Sequence, residues 1–140
     1  MHLSIHNLFN LCKLYLRKEL HGNNTMCTQF NLLNFLSADP HAPPQNIQSS
    51  VTGSRTVVIS WDPPLFEDQN GIITYYLLLI SEEQFNVSDR VINTTSDAST
   101  YTVTELEEYD NYTCRVAAAT RIGPGPYSAP IEFSTPQDGI

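Results

Sequence analysis

Hydrophobic and polar residues alternate with a period of two in the middle of the chain. In the run at 56–61, the bulky residues Val57, Ile59 and Trp61 occupy every second position. Successive side chains of a β-strand point to opposite faces, so this period places all three on one face. The pattern predicts a strand whose inner face is heavily apolar.

Six further segments share the character of a strand. Each is short, is rich in β-branched or aromatic residues, and is bounded by residues that favour turns. The seven predicted strands are, in chain order, Gln45–Val51, Thr56–Trp61, Ile72–Ile80, Arg90–Asn93, Thr100–Leu106, Tyr112–Thr120 and Ala129–Thr135. Since no helical period follows Asp39, we expect an all-β fold, a seven-stranded antiparallel sandwich of the immunoglobulin-like kind.

The first 41 residues have a different pattern. Apolar residues between Leu3 and Leu20 recur at mixed spacings that suit a helix better than a strand. We expect this stretch either to fray or to lie as an amphipathic helix on a partner or membrane surface. Three prolines at 40–44 then hold the backbone extended, which marks a boundary near residue 42. The predicted parts are a weakly ordered or partly helical leader at 1–41, a folded domain at 42–137 and a tail at 138–140.

Charge is distributed unevenly between these parts. The chain of 140 residues has a formal net charge of −8, but the leader contains three bases against two acids. After residue 41, four arginines and no lysine or histidine oppose 13 acids, a net charge of −9. An acidic surface repels phosphate backbones and anionic lipid head groups. We therefore exclude nucleic acid as a partner and expect no direct membrane insertion by this segment.

No segment has the pattern of a membrane span or of a secretory signal. The apolar runs are shorter than the roughly 18–20 residues that cross a bilayer. Polar residues such as His6, Asn10 and Lys13 interrupt the N-terminal apolar stretch, and no clear small-residue cleavage site follows it. If the domain is exported, its signal lies elsewhere.

The predicted domain lacks the residues that support catalysis or metal binding. All four histidines precede it, no Gly-rich phosphate loop leads into a helix, and the three cysteines form no C-x-x-C pair. Cys12 and Cys27 can bridge each other, although nothing requires it, and Cys114 is predicted to be a small buried hydrophobic residue. Three acidic pairs lack the alternating ligands of a calcium loop and fit a solvated rim: Glu67-Asp68, Glu82-Glu83 and Glu107-Glu108. We expect no enzymatic activity and no cofactor.

Six short motifs follow one another along the domain. They are Pro43-Pro44, Val57-x-Ile59-x-Trp61-x-Pro63-Pro64, Gly71-x-Ile73-Thr74-x-Tyr76-x-Leu78, Tyr101-Thr102-Val103-Thr104-x-Leu106, Tyr112-x-x-Arg115-Val116-x-Ala118 and Gly123-Pro124-Gly125-Pro126-x-Ser128. In this order and spacing they resemble a fibronectin type III domain that covers Ala42 to about Gln137. The strand around Cys114 and the Gly-Pro-Gly-Pro loop look most similar to domains from the ectodomains of receptor-type tyrosine phosphatases and neural cell-adhesion proteins.

The resemblance implies roles for the core residues. Trp61 would be the central plate of the core, with Tyr76 and Leu78 facing it across the sandwich. Leu106 and Tyr112 resemble the tyrosine corner of the family, in which the phenol hydroxyl bonds to nearby backbone. The structural core implied in this way consists of Trp61, Tyr76, Leu78, Leu106, Tyr112, Cys114 and Val116.

Four Asn-x-Ser/Thr sequences are candidates for N-glycosylation: Asn23, Asn86, Asn93 and Asn111. Three of them lie in the domain, which favours a protein of the secretory pathway. Together with the resemblance, they predict a location on the extracellular side of the plasma membrane.

The predicted function is that of a non-catalytic adhesion or spacer module in the ectodomain of a multi-domain cell-surface receptor. Its predicted partners are proteins, either adjacent fibronectin type III modules or a cell-surface ligand. Any phosphatase activity would belong to a domain absent from this chain. The alternative is an intracellular structural module of the muscle type, whereas a module appended to a carbohydrate-active enzyme would share little beyond the fold.

One face of the third predicted strand is a candidate contact surface. Outward-facing Tyr75, Leu77 and Leu79 are apolar where a polar face is usual. The resemblance implies that the strand Tyr112–Thr120 lies beside this one, which puts Arg115 at the rim of the patch. Outward-facing alanines on that strand are too small to cover them. The patch is expected to bind a neighbouring module or a second copy of the chain, unless the linking segment Phe85–Ile92 folds over it and makes it core.

Overall fold

A computed structural model describes residues 37–84 and 88–138, and these residues form a sandwich of seven strands. The strands are β1 (Gln45–Gly53), β2 (Thr56–Asp62), β3 (Tyr75–Glu82), β4 (Arg90–Thr95), β5 (Thr100–Val103), β6 (Asn111–Ala119) and β7 (Ile131–Ser134). The only helical segment in the described part is a 3₁₀ turn at Phe66–Asp68. The prediction of an all-β, seven-stranded antiparallel sandwich is confirmed, and most of the predicted leader lies outside the described residues.

The strands form two antiparallel sheets. One sheet has the order β1-β2-β5, and the other has the order β4-β3-β6-β7. In the larger sheet, β3 pairs with β4 from Tyr75 to Ile80 and with β6 along its whole length. β3 and β6 are the two central strands of this sheet, so their outward-facing side chains form the middle of its outer face.

Two strands are shorter than the sequence predicts. β3 begins at Tyr75 rather than Ile72, although the Thr74 N–H already donates to the Ala119 carbonyl of β6 at 2.8 Å. β5 ends at Val103 rather than Leu106, because Glu105 has a φ of 60° and redirects the chain. Such left-handed conformations break the extended backbone that ladder pairing requires.

The last strand is also shorter than predicted, covering Ile131–Ser134 instead of Ala129–Thr135. The chain before it already runs beside β6, where the Ser128 N–H donates to the Val116 carbonyl at 2.9 Å. Pro130 has no N–H to donate, which interrupts a continuous ladder at this point.

The core lies between the two sheets and is built around aromatic contacts. The ring centroids of Trp61 and Tyr76 are 5.4 Å apart and tilted by 55°, a favoured aromatic arrangement. Tyr112 stacks on Phe133 at 5.5 Å. The seven residues assigned to the structural core by resemblance are all buried: Trp61, Tyr76, Leu78, Leu106, Tyr112, Cys114 and Val116.

A short segment at residues 37–41, here called the strap, packs against the end of the sandwich. The Ala38 N–H donates to the Asn70 carbonyl at 2.8 Å, and the Thr120 hydroxyl donates to the Ala38 carbonyl at 2.6 Å. Ser37 and Pro40 are buried. The packed unit therefore includes residues that the sequence assigns to the leader, and it extends at least to Ser37.

Candidate contact surface

The outer face of the four-stranded sheet carries a strip of three half-buried apolar residues, Tyr75, Leu77 and Leu79, here called the apolar strip. Each strip residue lies between one residue of β4 and one of β6. The three rows across the sheet are Thr95–Tyr75–Ala119, Asn93–Leu77–Ala117 and Val91–Leu79–Arg115. Arg115 is exposed, and Val91 is 56% exposed at the edge of the sheet.

The outward-facing alanines of β6 contribute no exposed surface, in contrast to the sequence interpretation of a wider patch. Ala117 and Ala119 are both 0% exposed. The segment at 124–128 flanks β6 on the side away from β3, where the Gly125 N–H donates to the Ala118 carbonyl at 2.8 Å. Small side chains between this segment and the bulky strip are fully covered, so the apolar surface is narrower than predicted.

The alternative cover, the segment Phe85–Ile92, lies only partly within the described residues, which begin again at residue 88. Ile92 points into the core and is 9% exposed, whereas Val91 lies beside Leu79 on the outer face. The described part of this segment therefore adds to the edge of the outer face. The assignment of the apolar strip and Arg115 as a contact surface stays a prediction.

Two of the four candidate glycosylation sites lie within the described residues, and both are on this same outer face. Asn93 is exposed on β4, directly opposite Leu77. Asn111 is exposed at the start of β6, and its amide oxygen accepts a hydrogen bond from the Ser134 hydroxyl at 2.6 Å. Asn23 and Asn86 lie outside the described residues.

Tyr112 fixes the connection between β5 and β6. Its hydroxyl oxygen accepts a hydrogen bond from the Glu107 backbone N–H at 2.8 Å, five residues earlier in the chain. Burial raises the pKa of the Tyr112 phenol, while the hydrogen bond from Glu107 acts in the opposite direction. This geometry is that of the tyrosine corner, in which a buried phenol satisfies a loop amide.

Two carboxyl groups meet beside this corner. Asp110 is 3% exposed, and one oxygen each of Glu82 and Asp110 is buried without a conventional hydrogen-bond donor. The hydrogen bond that the Glu82 carboxyl shares with Asp110, followed by loss of solvation, raises the pKa of Glu82 to about 7. A second carboxyl beside Glu82 disfavours its ionisation, so Glu82 keeps its proton to a higher pH than a free glutamate does.

The described residues offer few other groups for metal binding or for nucleophilic chemistry. No three His, Cys, Asp or Glu side chains in residues 37–84 and 88–138 come together in a way that could hold a metal ion. Cys114 is unpaired and buried, and desolvation raises the pKa of its thiol to about 12. In the same residues, the structure contains no helix with the length and apolarity that crossing a bilayer requires.

The two-sheet architecture, the tyrosine corner and the residue motifs together specify a family. A model of the fibronectin type III domain matches residues 42–134. The chain belongs to the fibronectin type III family. This fibronectin type III domain has curated relatives among receptor phosphatases and adhesion proteins, which confirms the resemblance seen in the sequence.

Two receptor phosphatases and one adhesion molecule are examples of these relatives. The domain is 38% identical over 103 residues to receptor-type tyrosine-protein phosphatase F of Mus musculus and 36% identical over 99 residues to tyrosine-protein phosphatase Lar of Drosophila melanogaster. It is 35% identical over 107 residues to the cell adhesion molecule DSCAM of Rattus norvegicus. The matches cover 71–72% of this chain but only 5% of each relative, so the chain spans about one-twentieth of their length.

Solved structures agree with this assignment. The FN5 domain of Drosophila Lar superposes with a TM-score of 0.58 and 30% identity, covering 69% of this chain and 99% of that domain. The third fibronectin III domain of the human KIAA0343 protein gives a TM-score of 0.68 at 21% identity, covering 72% of this chain and 86% of that one. The second comparison supports the fold alone.

Proposed function

We propose that this fibronectin type III domain is a non-catalytic protein-contact and spacer module in the extracellular part of a multi-domain cell-surface protein. The observation that carries the proposal is the 38% identity over 103 residues to a receptor-type tyrosine-protein phosphatase, with similar identity to an adhesion molecule. Because the match covers 5% of those relatives, any catalysis belongs to other parts of such proteins. The muscle-type alternative gains no support from these relatives.

The fold suits the role of a spacer because the chain enters and leaves the sandwich at opposite ends. The strap contacts Thr120, just beyond the last residue of β6, whereas β7 ends at Ser134 beside Asn111, the first residue of β6. A nine-residue strand is about 30 Å long at 3.3 Å per residue. Modules connected through these two ends would be separated by roughly that length.

The surface charge supports a protein partner over other partner classes. Residues beyond the leader carry a net charge of −9 and no lysine. Such a surface disfavours nucleic acids and anionic lipids, and attracts proteins with basic patches. We therefore propose adjacent fibronectin type III modules or a cell-surface protein ligand as partners.

Secretion tests this proposal. We expect the full chain, fused behind a secretory signal, to leave a eukaryotic host cell folded, with Trp61 fluorescence matching that of the same chain made in the bacterial cytosol. The core variant Trp61→Ala, which leaves a large cavity, should be retained in the cell as a matched control. Retention and degradation of the unaltered chain, despite correct folding in the bacterial cytosol, would contradict the extracellular assignment.

A further inference from the structure

Asn93 lies at the edge of the outer face, directly beside the apolar strip. Its side chain is exposed, its cross-strand partner on β3 is Leu77, and Asn93-Thr94-Thr95 is an acceptor sequence for N-glycosylation. We propose that Asn93 carries an N-linked glycan whose first N-acetylglucosamine packs over the apolar strip. The proposal rests on the extracellular setting proposed above and assigns an occupant to this face.

Four apolar side chains surround Asn93 on the outer face. Directly opposed residues of an antiparallel pair have Cβ atoms about 5 Å apart, and diagonal neighbours are about 7–8 Å apart. Leu77 is the direct neighbour, and Tyr75 and Leu79 are the diagonal ones. Val91, two residues earlier on the same strand, is about 7 Å away and is 56% exposed.

The chemistry of the first sugar matches these neighbours. A pyranose ring presents axial C–H groups on its faces, and the acetamido group of N-acetylglucosamine adds a methyl group. Burying such groups against half-exposed leucine and valine side chains removes apolar surface from water on both partners. The ring of Tyr75 offers a flat apolar face of the kind on which sugar rings pack.

The modification is a balanced group transfer in the secretory pathway. The co-reactant is an oligosaccharide linked through pyrophosphate to a membrane lipid. The amide nitrogen of Asn93 attacks the first sugar carbon, the C–N bond forms and the bond from that carbon to the phosphate oxygen breaks. The lipid pyrophosphate leaves and the amide gives up one proton, so no oxidant or reductant is needed.

Asn111 provides an internal comparison on the same face. It is also exposed and also begins an acceptor sequence, but its neighbours are polar. The amide oxygen of Asn111 is bonded to Ser134, and Thr113 is the next outward residue of the strand. A glycan on Asn111 has no apolar strip to cover, so it serves as the matched control.

The first experiment maps occupancy in the secreted full chain. Peptides are treated with an amidase that converts glycosylated Asn to Asp, and the mass change is assigned to each site. We expect occupancy at Asn93 and its loss in Thr95→Ala, which removes the acceptor hydroxyl together with the methyl group and the bond to Asp97. Thr95→Ser removes the methyl group but keeps the hydroxyl, so it should retain occupancy. An unoccupied Asn93 in a chain that is secreted and folded overturns this inference and leaves the proposed extracellular function intact.

The second experiment tests whether the sugar contacts the strip. In a chain whose only remaining acceptor is Asn93, the glycan is trimmed to one N-acetylglucosamine, and its melting midpoint is compared with that of the unglycosylated bacterial chain. We expect the sugar to raise the midpoint by a few degrees, and this gain to be largely lost in Leu77→Ala. In the corresponding chain with only Asn111, Leu77→Ala should not alter the effect of the sugar.

The outcome separates the two possible occupants of the face. A gain that depends on Leu77 at Asn93 but not at Asn111 supports the glycan as the cover. If the glycan on Asn93 raises the midpoint equally with Leu77 and with Ala at position 77, or does not raise it at all, the covering contact is overturned. In that case the strip is open to a protein, and Leu77→Lys with Leu79→Lys should reduce self-association of the folded chain on a sizing column.

Discussion

Tyr112 holds the connection between β5 and β6 through one hydrogen bond, from the Glu107 N–H to its hydroxyl oxygen at 2.8 Å. Tyr112→Phe keeps the ring and its stacking on Phe133 but leaves the amide without this acceptor. We expect a loss of about 1–3 kcal/mol in the free energy of unfolding, measured by urea titration, because a partly buried amide then loses its partner.

The matched control for this change is Tyr127→Phe. Tyr127 is exposed, and water replaces any bond that its hydroxyl makes. The control should therefore leave the urea midpoint nearly unchanged. Equal midpoints for both variants and the unaltered chain would remove the role assigned to Tyr112.

The carboxyl pair Glu82–Asp110 predicts an unusual dependence of stability on pH. With its pKa raised to about 7 in the folded chain and an ordinary value of 4.5, Glu82 binds more proton in the folded than in the unfolded state between these values. The free energy of unfolding contributed by this group is therefore greatest below about pH 4.5 and decreases as pH rises to about 7. Glu82→Gln should melt a few degrees higher than the unaltered chain at pH 8, and this advantage should disappear near pH 4.5.

Other titratable groups lie near Glu82, so the pH experiment needs a control for a change in local charge. The surroundings of Glu82 include carboxylates of the β5–β6 connection, the Tyr112 phenol and one arginine of β4: Glu105, Glu107, Glu108, Tyr112 and Arg90. Glu83→Gln removes one negative charge from the adjacent exposed position and should not reproduce the change in pH profile. A profile for Glu82→Gln that parallels the unaltered chain from pH 4.5 to 8 would show that the pKa of Glu82 is not raised in the folded chain.

At this scale the sequence predicted the inward residues of β6 correctly but missed the carboxyl pair. The resemblance of Leu106 and Tyr112 to a tyrosine corner sets Tyr112 inward, and local alternation then places Val116 on the same face, where both are buried. Glu82 and Asp110 are 28 residues apart and meet only because the end of β3 lies beside the start of β6. Glu83, the sequence neighbour of Glu82, is exposed and takes no part in this contact. The acidic pair Glu82-Glu83 in the sequence therefore gave no indication that Glu82 lies beside Asp110.

The strap gives a prediction at the scale of an element. A chain that starts at Ser37 keeps its hydrogen bonds to Asn70, Asp68 and Thr120, whereas a chain that starts at Ala42 loses them. We expect the second chain to be less stable than the first by about 2 kcal/mol in urea titration, since each such bond contributes about 0.5–1.5 kcal/mol net. Equal midpoints would show that the strap contributes nothing to folding.

Gly125 tests the same contact from the other side. A Cβ atom at Gly125 would lie 2.5 Å from the Pro40 carbonyl oxygen, closer than such atoms approach. Gly125→Ala should therefore destabilise the chain that starts at Ser37 and have a much smaller effect on the chain that starts at Ala42. An equal loss in both chains would assign the cost to the loop itself and not to the strap.

Elements with a strong period were predicted from the sequence, and elements held by distant contacts were not. All seven strands of the described residues were predicted, because alternation of apolar and polar residues in runs such as 56–61 indicates a strand with one buried face. The strap has no such period, and its bond to Thr120 joins residues 82 positions apart. The cover over Ala117 depends in the same way on a loop that folds back along β6, which no local pattern indicates.

Cys114 makes unfolding of the whole molecule measurable. The thiol is 0% exposed, and its pKa of about 12 leaves almost no thiolate at pH 8. In a Cys12→Ser, Cys27→Ser background, a thiol reagent should label Cys114 only when the sandwich opens. The labelling rate should then be independent of strand-edge fraying and should increase with urea in parallel with unfolding.

A peripheral variant provides the comparison for this measurement. Tyr127→Phe should leave the labelling rate unchanged, whereas Tyr112→Phe should increase it by the same factor as the unfolding equilibrium constant. Labelling of the native chain at the rate of an exposed thiol would show that the sandwich opens locally around β6.

The strap also gives the module a mechanical character. Pulling on the N-terminal side loads the strap before β1, and only a few hydrogen bonds hold the strap to the sandwich. The five released residues span at most about 17 Å when extended, so the chain lengthens by less than that while the sandwich remains intact. Under tension applied through its N-terminal side, the module should therefore yield by a short step before its core bears the load.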